Sequence, residues 1–102
     1  MARFDVYSLG RRFAPLVVDV QANMLSAMAT RVVVPLTDAT ELVELPLPRL
    51  KPLIEIDGVR YLFQAPDIGA ILARNLKNPI ANVENQYRGD ITRALDFLFQ
   101  GF

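Results

Sequence analysis

The segment Leu53 to Gln64, LIEI-DG-VRYLFQ, narrows the fold more than any other part of this chain. Two apolar runs that alternate with polar residues flank Asp57-Gly58. That dipeptide tolerates the two consecutive positive φ angles of a type I′ turn, and the twist of such a turn matches the twist of paired strands. The segment therefore reads as a β-hairpin, and a hairpin that buries one face needs further strands to cover it.

Those strands are present. RFDVY (3–7) alternates, with Phe4 and Val6 pointing one way and Arg3, Asp5 and Tyr7 the other. PLVVDVQ (15–21) is rich in β-branched residues. Its Val18 and Val20 share one face, and Val17, Asp19 and Gln21 share the other. Asp19 lies among valines in what reads as a central strand, so its carboxylate requires a hydrogen-bonding or charged partner. RVVVPL (31–36) is a continuous apolar strand of the kind covered on both faces, and Pro35 places its end, or a sheet edge, nearby. SLGRR (8–12) is a loop turning at Gly10. TDATEL (37–42) is a turn or single helical turn capped by Thr37 or Asp38, and LPLPRLKP (45–52) is an extended proline-rich connector. The loop ANMLSAMAT (22–30) contains Met24, Leu25 and Met28, apolar residues that call for a packing partner inside or outside the chain. APDIGAILARNL (65–76) supports two readings: a helix capped by Asp67, or a strand beginning near Gly69. KNPIANVEN (77–85) is a polar loop in which Asn82 or Asn85 caps the final helix.

The C-terminal stretch Tyr87 to Phe102 has helical periodicity. Tyr87, Ile91, Ala94, Leu95 and Leu98 form one apolar stripe, and Gly89 weakens the first turns by about 1 kcal/mol against alanine. Phe97 and Phe99 lie off the stripe on opposite sides, and Phe102 follows Gly101 at the terminus. These aromatics need either a core that extends to them or a partner. The pattern is mainly β: a small antiparallel barrel with one C-terminal α-helix, a single domain spanning residues 1–102.

Composition narrows the chemistry. The chain has neither histidine nor cysteine, so the commonest general base, the commonest metal ligand and thiolate chemistry are all missing. Its net charge is zero, which argues against binding nucleic acid through phosphates. No run approaches the ~18 apolar residues of a membrane span, and the first ten residues lack a signal-peptide core, so the expected location is the cytoplasm. A hydrophobic content of 52% in 102 residues leaves apolar material for the surface, most simply for an oligomer interface. No nucleotide-loop, zinc or nucleophile-elbow motif occurs, and neither a metal nor a cofactor is expected.

The segments FDVY (4–7), VDVQ (18–21), TRVVVPL (30–36), PLIEIDG (52–58) and ITRALDFLFQGF (91–102), in this order and spacing, resemble the CcdB family, toxins of toxin–antitoxin modules. The resemblance implies an SH3-like barrel with a C-terminal helix, assembled as a homodimer. It also implies a type II toxin that binds the DNA gyrase A subunit, traps the gyrase–DNA cleavage complex without catalysis of its own, and is neutralised by a CcdA-like antitoxin. By resemblance, the gyrase contact falls on Met24, Leu25, Asp96, Phe99, Gln100, Gly101 and Phe102, and the dimer interface on Ile68, Leu72 and Leu98. Antitoxin contacts fall on Ser8 to Pro15 and Glu41 to Leu50, and GAILARN (69–75) becomes a strand. One position departs from the pattern: well-known members end Trp-Gly-Ile, whereas this chain ends Gln100-Gly101-Phe102. Losing a central aromatic anchor costs ~2–4 kcal/mol, a weakening of roughly 30- to 1,000-fold. Alternatives are a weak or inactive relative that only sequesters antitoxin, and an endoribonuclease of the MazF and Kid type on the same barrel. In the latter, Arg31 with Asp19 or Asp67 would supply the acid–base and charge-stabilising groups.

Overall fold

The computed structural model describes residues 2–10, 16–41 and 47–101. The strands are β1 (Asp5–Ser8), β2 (Leu16–Asp19), β3 (Thr30–Asp38), β4 (Leu53–Ile56), β5 (Val59–Phe63), β6 (Gly69–Leu72) and β7 (Ala81–Asn82), followed by helix α1 (Glu84–Gln100). They form one antiparallel sheet ordered β4-β5-β3-β2-β1-β7, with β6 also pairing to β3. The sheet curls into a nearly closed barrel, the mainly β fold expected from the sequence.

Asp57 and Gly58 adopt φ values of 51° and 80°, the two positive angles of the expected turn. β4 and β5 pair on either side, with Ile56 opposite Val59. β2 lies between β1 and β3 and is buried along its whole length, in agreement with the central position read from its valines. Two sets of side chains account for this. Val6, Val18, Val34, Leu36, Ile54 and Phe63 fill the main core. Tyr7, Val17, Val33 and Leu76 form a smaller core on the opposite face, flanked by Leu9 and Ile71. Tyr7 is thus buried on a face that alternation alone leaves half covered.

Pro35 corrects one expectation. It lies within the nine-residue β3, in the middle of the sheet, and marks neither an edge nor an end. On one side β3 pairs with β6 through Thr30–Val33 and with β5 through Leu36–Asp38, leaving residues 34 and 35 between the two partners. The Pro35 carbonyl accepts from the Gln64 amide in this gap. A strand residue directs its N–H and C=O to the same side, so the missing proline N–H faces the interruption and breaks no ladder bond.

Segment 65–76 resolves in favour of the strand: a 3₁₀ turn at Ala65–Asp67, then β6, then another 3₁₀ turn at Ala73–Asn75. A 3₁₀ turn at Ala39–Glu41 follows β3, and Asp38 anchors it by accepting from the Thr40 hydroxyl and amide. Those two bonds hold the Asp38 carboxyl below its usual range, the hydroxyl bond contributing most. Segment 77–85 is more ordered than a polar loop, because Ala81 and Asn82 pair with β1.

The helix begins at Glu84, three residues before Tyr87, and runs unbroken through Gly89. It therefore starts earlier than the periodicity from Tyr87 indicates. Its first turn is held from outside: Asn82 Oδ1 accepts from the Glu84 amide, the Val83 amide donates to the Phe4 carbonyl, and the Tyr87 hydroxyl accepts from the Glu55 amide. Tertiary contacts of this kind outweigh the ~1 kcal/mol glycine penalty. Ile91 and Ala94 are buried, with Tyr87, Leu95 and Leu98 packed beside them, so the apolar stripe faces the core as read. The helix stops at Gly101, whose left-handed φ of 78° lets its amide reach the Phe97 carbonyl.

Candidate functional site

The exposed apolar side chains form two groups among those expected to bind a partner. Met24 is 89% exposed, with Leu25 and Met28 about half exposed, on the loop between β2 and β3. Phe99 is 69% exposed near the end of α1. Asp96, Gln100 and Gly101 lie beside it at the helix end, and Phe102 lies outside the described residues. Neither group has a core to enter. Phe99 is therefore no boundary core residue, unlike Phe97, which is half-buried with the Arg49 guanidinium 4.4 Å over its ring.

The two groups lie near different ends of the helix. The Met24 loop is tied to the start of α1 through Arg3: the Arg3 amide donates to Asn23 Oδ1 at 2.6 Å, and Asn82 Nδ2 donates to the Arg3 carbonyl. The 17 residues of α1 rise 1.5 Å each, so its last residue lies roughly 24 Å from its first. No hydrogen bond among the described residues joins the loop to residues 96–101. The expected set is therefore two patches on one chain.

A buried polar network lies beneath the loop. Arg31 grips Asp19 with two bonds, Nε to Oδ2 at 2.7 Å and Nη2 to Oδ1 at 3.0 Å, and both side chains are fully buried. The partner that Asp19 requires is thus Arg31. Gln21 completes the group: its amide donates to Asp19 Oδ1, and its carbonyl accepts from Arg31 Nη2. Tyr7 stands nearby, donating to Asp5 at 3.4 Å. Burial, then the negative charges of Asp5 and Asp19, push the Tyr7 phenol above its ordinary value, and Arg31 opposes them in part.

This geometry bears on the ribonuclease alternative. A general base and a phosphate-stabilising arginine have to meet the substrate. Asp19 and Arg31 are sealed from solvent and bonded to each other, so they serve the fold. Asp67 lies on the turn before β6 and makes no hydrogen bond to either of them.

The residues expected at a dimer interface occupy varied positions. Leu72 is 39% exposed, whereas Ile68 and Leu98 pack partly buried against the core. Residues 11–15 and 42–46 of the expected antitoxin surface lie outside the described residues. A groove of about 440 Å³ opens between the connector and the helix, lined by Pro48, Arg49, Asp90, Arg93 and Asp96. Sequence reasoning missed it. Its walls are far apart in the chain, and only the helix spacing of Asp90, Arg93 and Asp96 is legible without the fold.

A family model described as CcdB protein matches residues 3–101. No curated protein matches the chain.

Proposed function

The chain belongs to the CcdB family, a membership that supports a toxin of a toxin–antitoxin module, and we propose that it acts by binding the DNA gyrase A subunit and trapping the gyrase–DNA cleavage complex. The observation that carries this reading is the exposure of Met24, Leu25 and Phe99, large apolar side chains left uncovered on one chain. They supply contact area for a protein partner, and the sealed Asp19–Arg31 pair offers no reaction centre in their place. In the proposed homodimer, contacts through Ile68, Leu72 and Leu98 join two copies, and the loop and helix-end patches of both copies form one surface. A CcdA-like antitoxin removes the toxin from gyrase, and the site of action is the cytoplasm. Among the described residues no helix is long and apolar enough to cross a membrane.

The test is a cleavage assay with purified protein, gyrase, ATP and supercoiled plasmid, stopped with detergent and protease. Linear DNA that requires both proteins is the expected product. Its absence with folded protein would overturn the reading. Gln100, exposed at the helix end, stands where well-known members carry tryptophan. Gln100→Trp is expected to tighten gyrase binding by roughly 30-fold or more in a titration, as a central aromatic anchor does.

A further inference from the structure

We infer that Gln21 is a positioning residue: it fixes the shape in which the Met24–Leu25 loop is presented, without itself meeting the partner. The inference deepens the gyrase reading and rests on it for its binding consequence. Every residue from Ala22 to Ala29 is exposed, so no buried side chain within the loop holds its conformation. The shape rests on polar links. Inside the loop these are short-range amide bonds: Leu25 to the Ala22 carbonyl, Ser26 to Asn23 and Met28 to Leu25. Short turns of this kind are marginal on their own.

Gln21 supplies a constraint across the base of the loop, and the Ala73 amide, which donates to the Ala29 carbonyl, ties only the end of the loop beside β3. Its side chain is nearly buried at the base of the loop. Its Nε2 donates to the Leu25 carbonyl at 3.2 Å and lies 3.8 Å from Met28 Sδ. Its Oε1 accepts from the Val32 amide at 2.9 Å, on the strand where the loop ends. One amide group therefore links both sides of the loop to its apolar tip. The Gln21 backbone is fixed in turn by Asp19 and Arg31, which places the rotor on a rigid base. Arg3 adds a second anchor at Asn23. A loop held in its binding shape avoids the ordering cost on association. When that shape is only partly populated, the apparent affinity falls by the same fraction.

The experiment uses the full chain with Gln21→Met, which keeps length and removes both side-chain bonds, and Gln21→Glu, which keeps the acceptor for Val32 and removes the donor to Leu25. Amide hydrogen exchange is measured at Leu25, Ser26 and Met28, and gyrase affinity by titration. The expected results are exchange at those amides faster by about tenfold, with strand amides of β2 unchanged, and gyrase binding weaker by about tenfold. In a Met24→Ala/Leu25→Ala background the Gln21 substitution is expected to add no further loss of affinity. A merely structural role would lower affinity equally in both backgrounds, and that result would overturn the inference. Unchanged loop exchange in both folded variants would overturn it as well. If the wild-type chain fails to bind gyrase, the function reading falls, while the exchange measurement still decides whether Gln21 holds the loop.

Discussion

The Asp19–Arg31 pair is fully buried, and its energetics are asymmetric. Two charges brought out of water are costly to desolvate, and their mutual bonds roughly offset that cost. Removing one partner leaves the other charge buried and unpaired. Asp19→Asn is therefore expected to lower unfolding free energy by about 3 kcal/mol, measured by denaturant titration. An apolar double replacement, Asp19→Leu with Arg31→Met, is expected to cost less than the single change. Tyr7 supplies a pH signature. Its folded pKa is raised above the unfolded value of 10.0, so above that pH the unfolded chain loses its proton first. Stability contributed by Tyr7 is complete below pH 10.0 and is lost as pH rises through the folded pKa. The melting temperature of the wild type is expected to fall more steeply over the unit above that value than that of Tyr7→Phe. Parallel slopes would rule this out.

Among the elements, α1 carries a removable weakness. Gly89 sits in its first half, and a Cβ added there meets only the end of the Arg93 side chain, at 3.1 Å from Nη1. Arg93 is 73% exposed and can swing away, giving up only a surface ion pair to Asp90. The gain in helix propensity is about 1 kcal/mol. Gly89→Ala is expected to stabilise the protein by about 0.5 kcal/mol or more in a denaturant titration. The same residue shows why sequence reasoning misplaces the helix start. Propensity counts the glycine cost, whereas the bonds from Asn82 and Phe4 that anchor the first turn come from residues near and far in the chain. The hairpin at Asp57-Gly58 is legible because its signal is entirely local.

For the whole molecule, the surface is the remaining matter. Among the described residues β6 pairs with β3 alone, and its exposed residues are Gly69, Ala70 and Leu72. None of its residues bears a charge that would discourage pairing with another copy. If two copies join there as proposed, Leu72→Arg is expected to give a monomer in analytical ultracentrifugation with circular dichroism unchanged. A dimer that persists would remove Leu72 from the interface. Ile68 and Leu98 make poorer probes, because both also pack on the core and their replacement would weaken the fold itself.

Much of this protein is determined by local pattern. Alternation marks β1, a run of β-branched valines marks β2, the Asp-Gly turn sets the hairpin, and 3.6-residue spacing sets the buried face of α1. The need of a carboxylate among valines for a partner is also readable, as is the surplus of apolar residues at Met24, Leu25 and Phe99. These features obey steric and hydrophobic rules that act over a few residues. Tertiary structure alone decided the rest. Arg31 was selected as the partner of Asp19 by the pairing of β2 with β3, which sets Asp19 opposite Val33. Pro35 was admitted to a central strand by a gap between two other strands. Within segment 65–76, Gly69–Leu72 became a strand because β3 offered it an edge, and Gln21 came to hold a loop because that loop returns to Val32. Each of these depends on which distant backbone lies alongside, and the short-range pattern of a sequence does not contain that information.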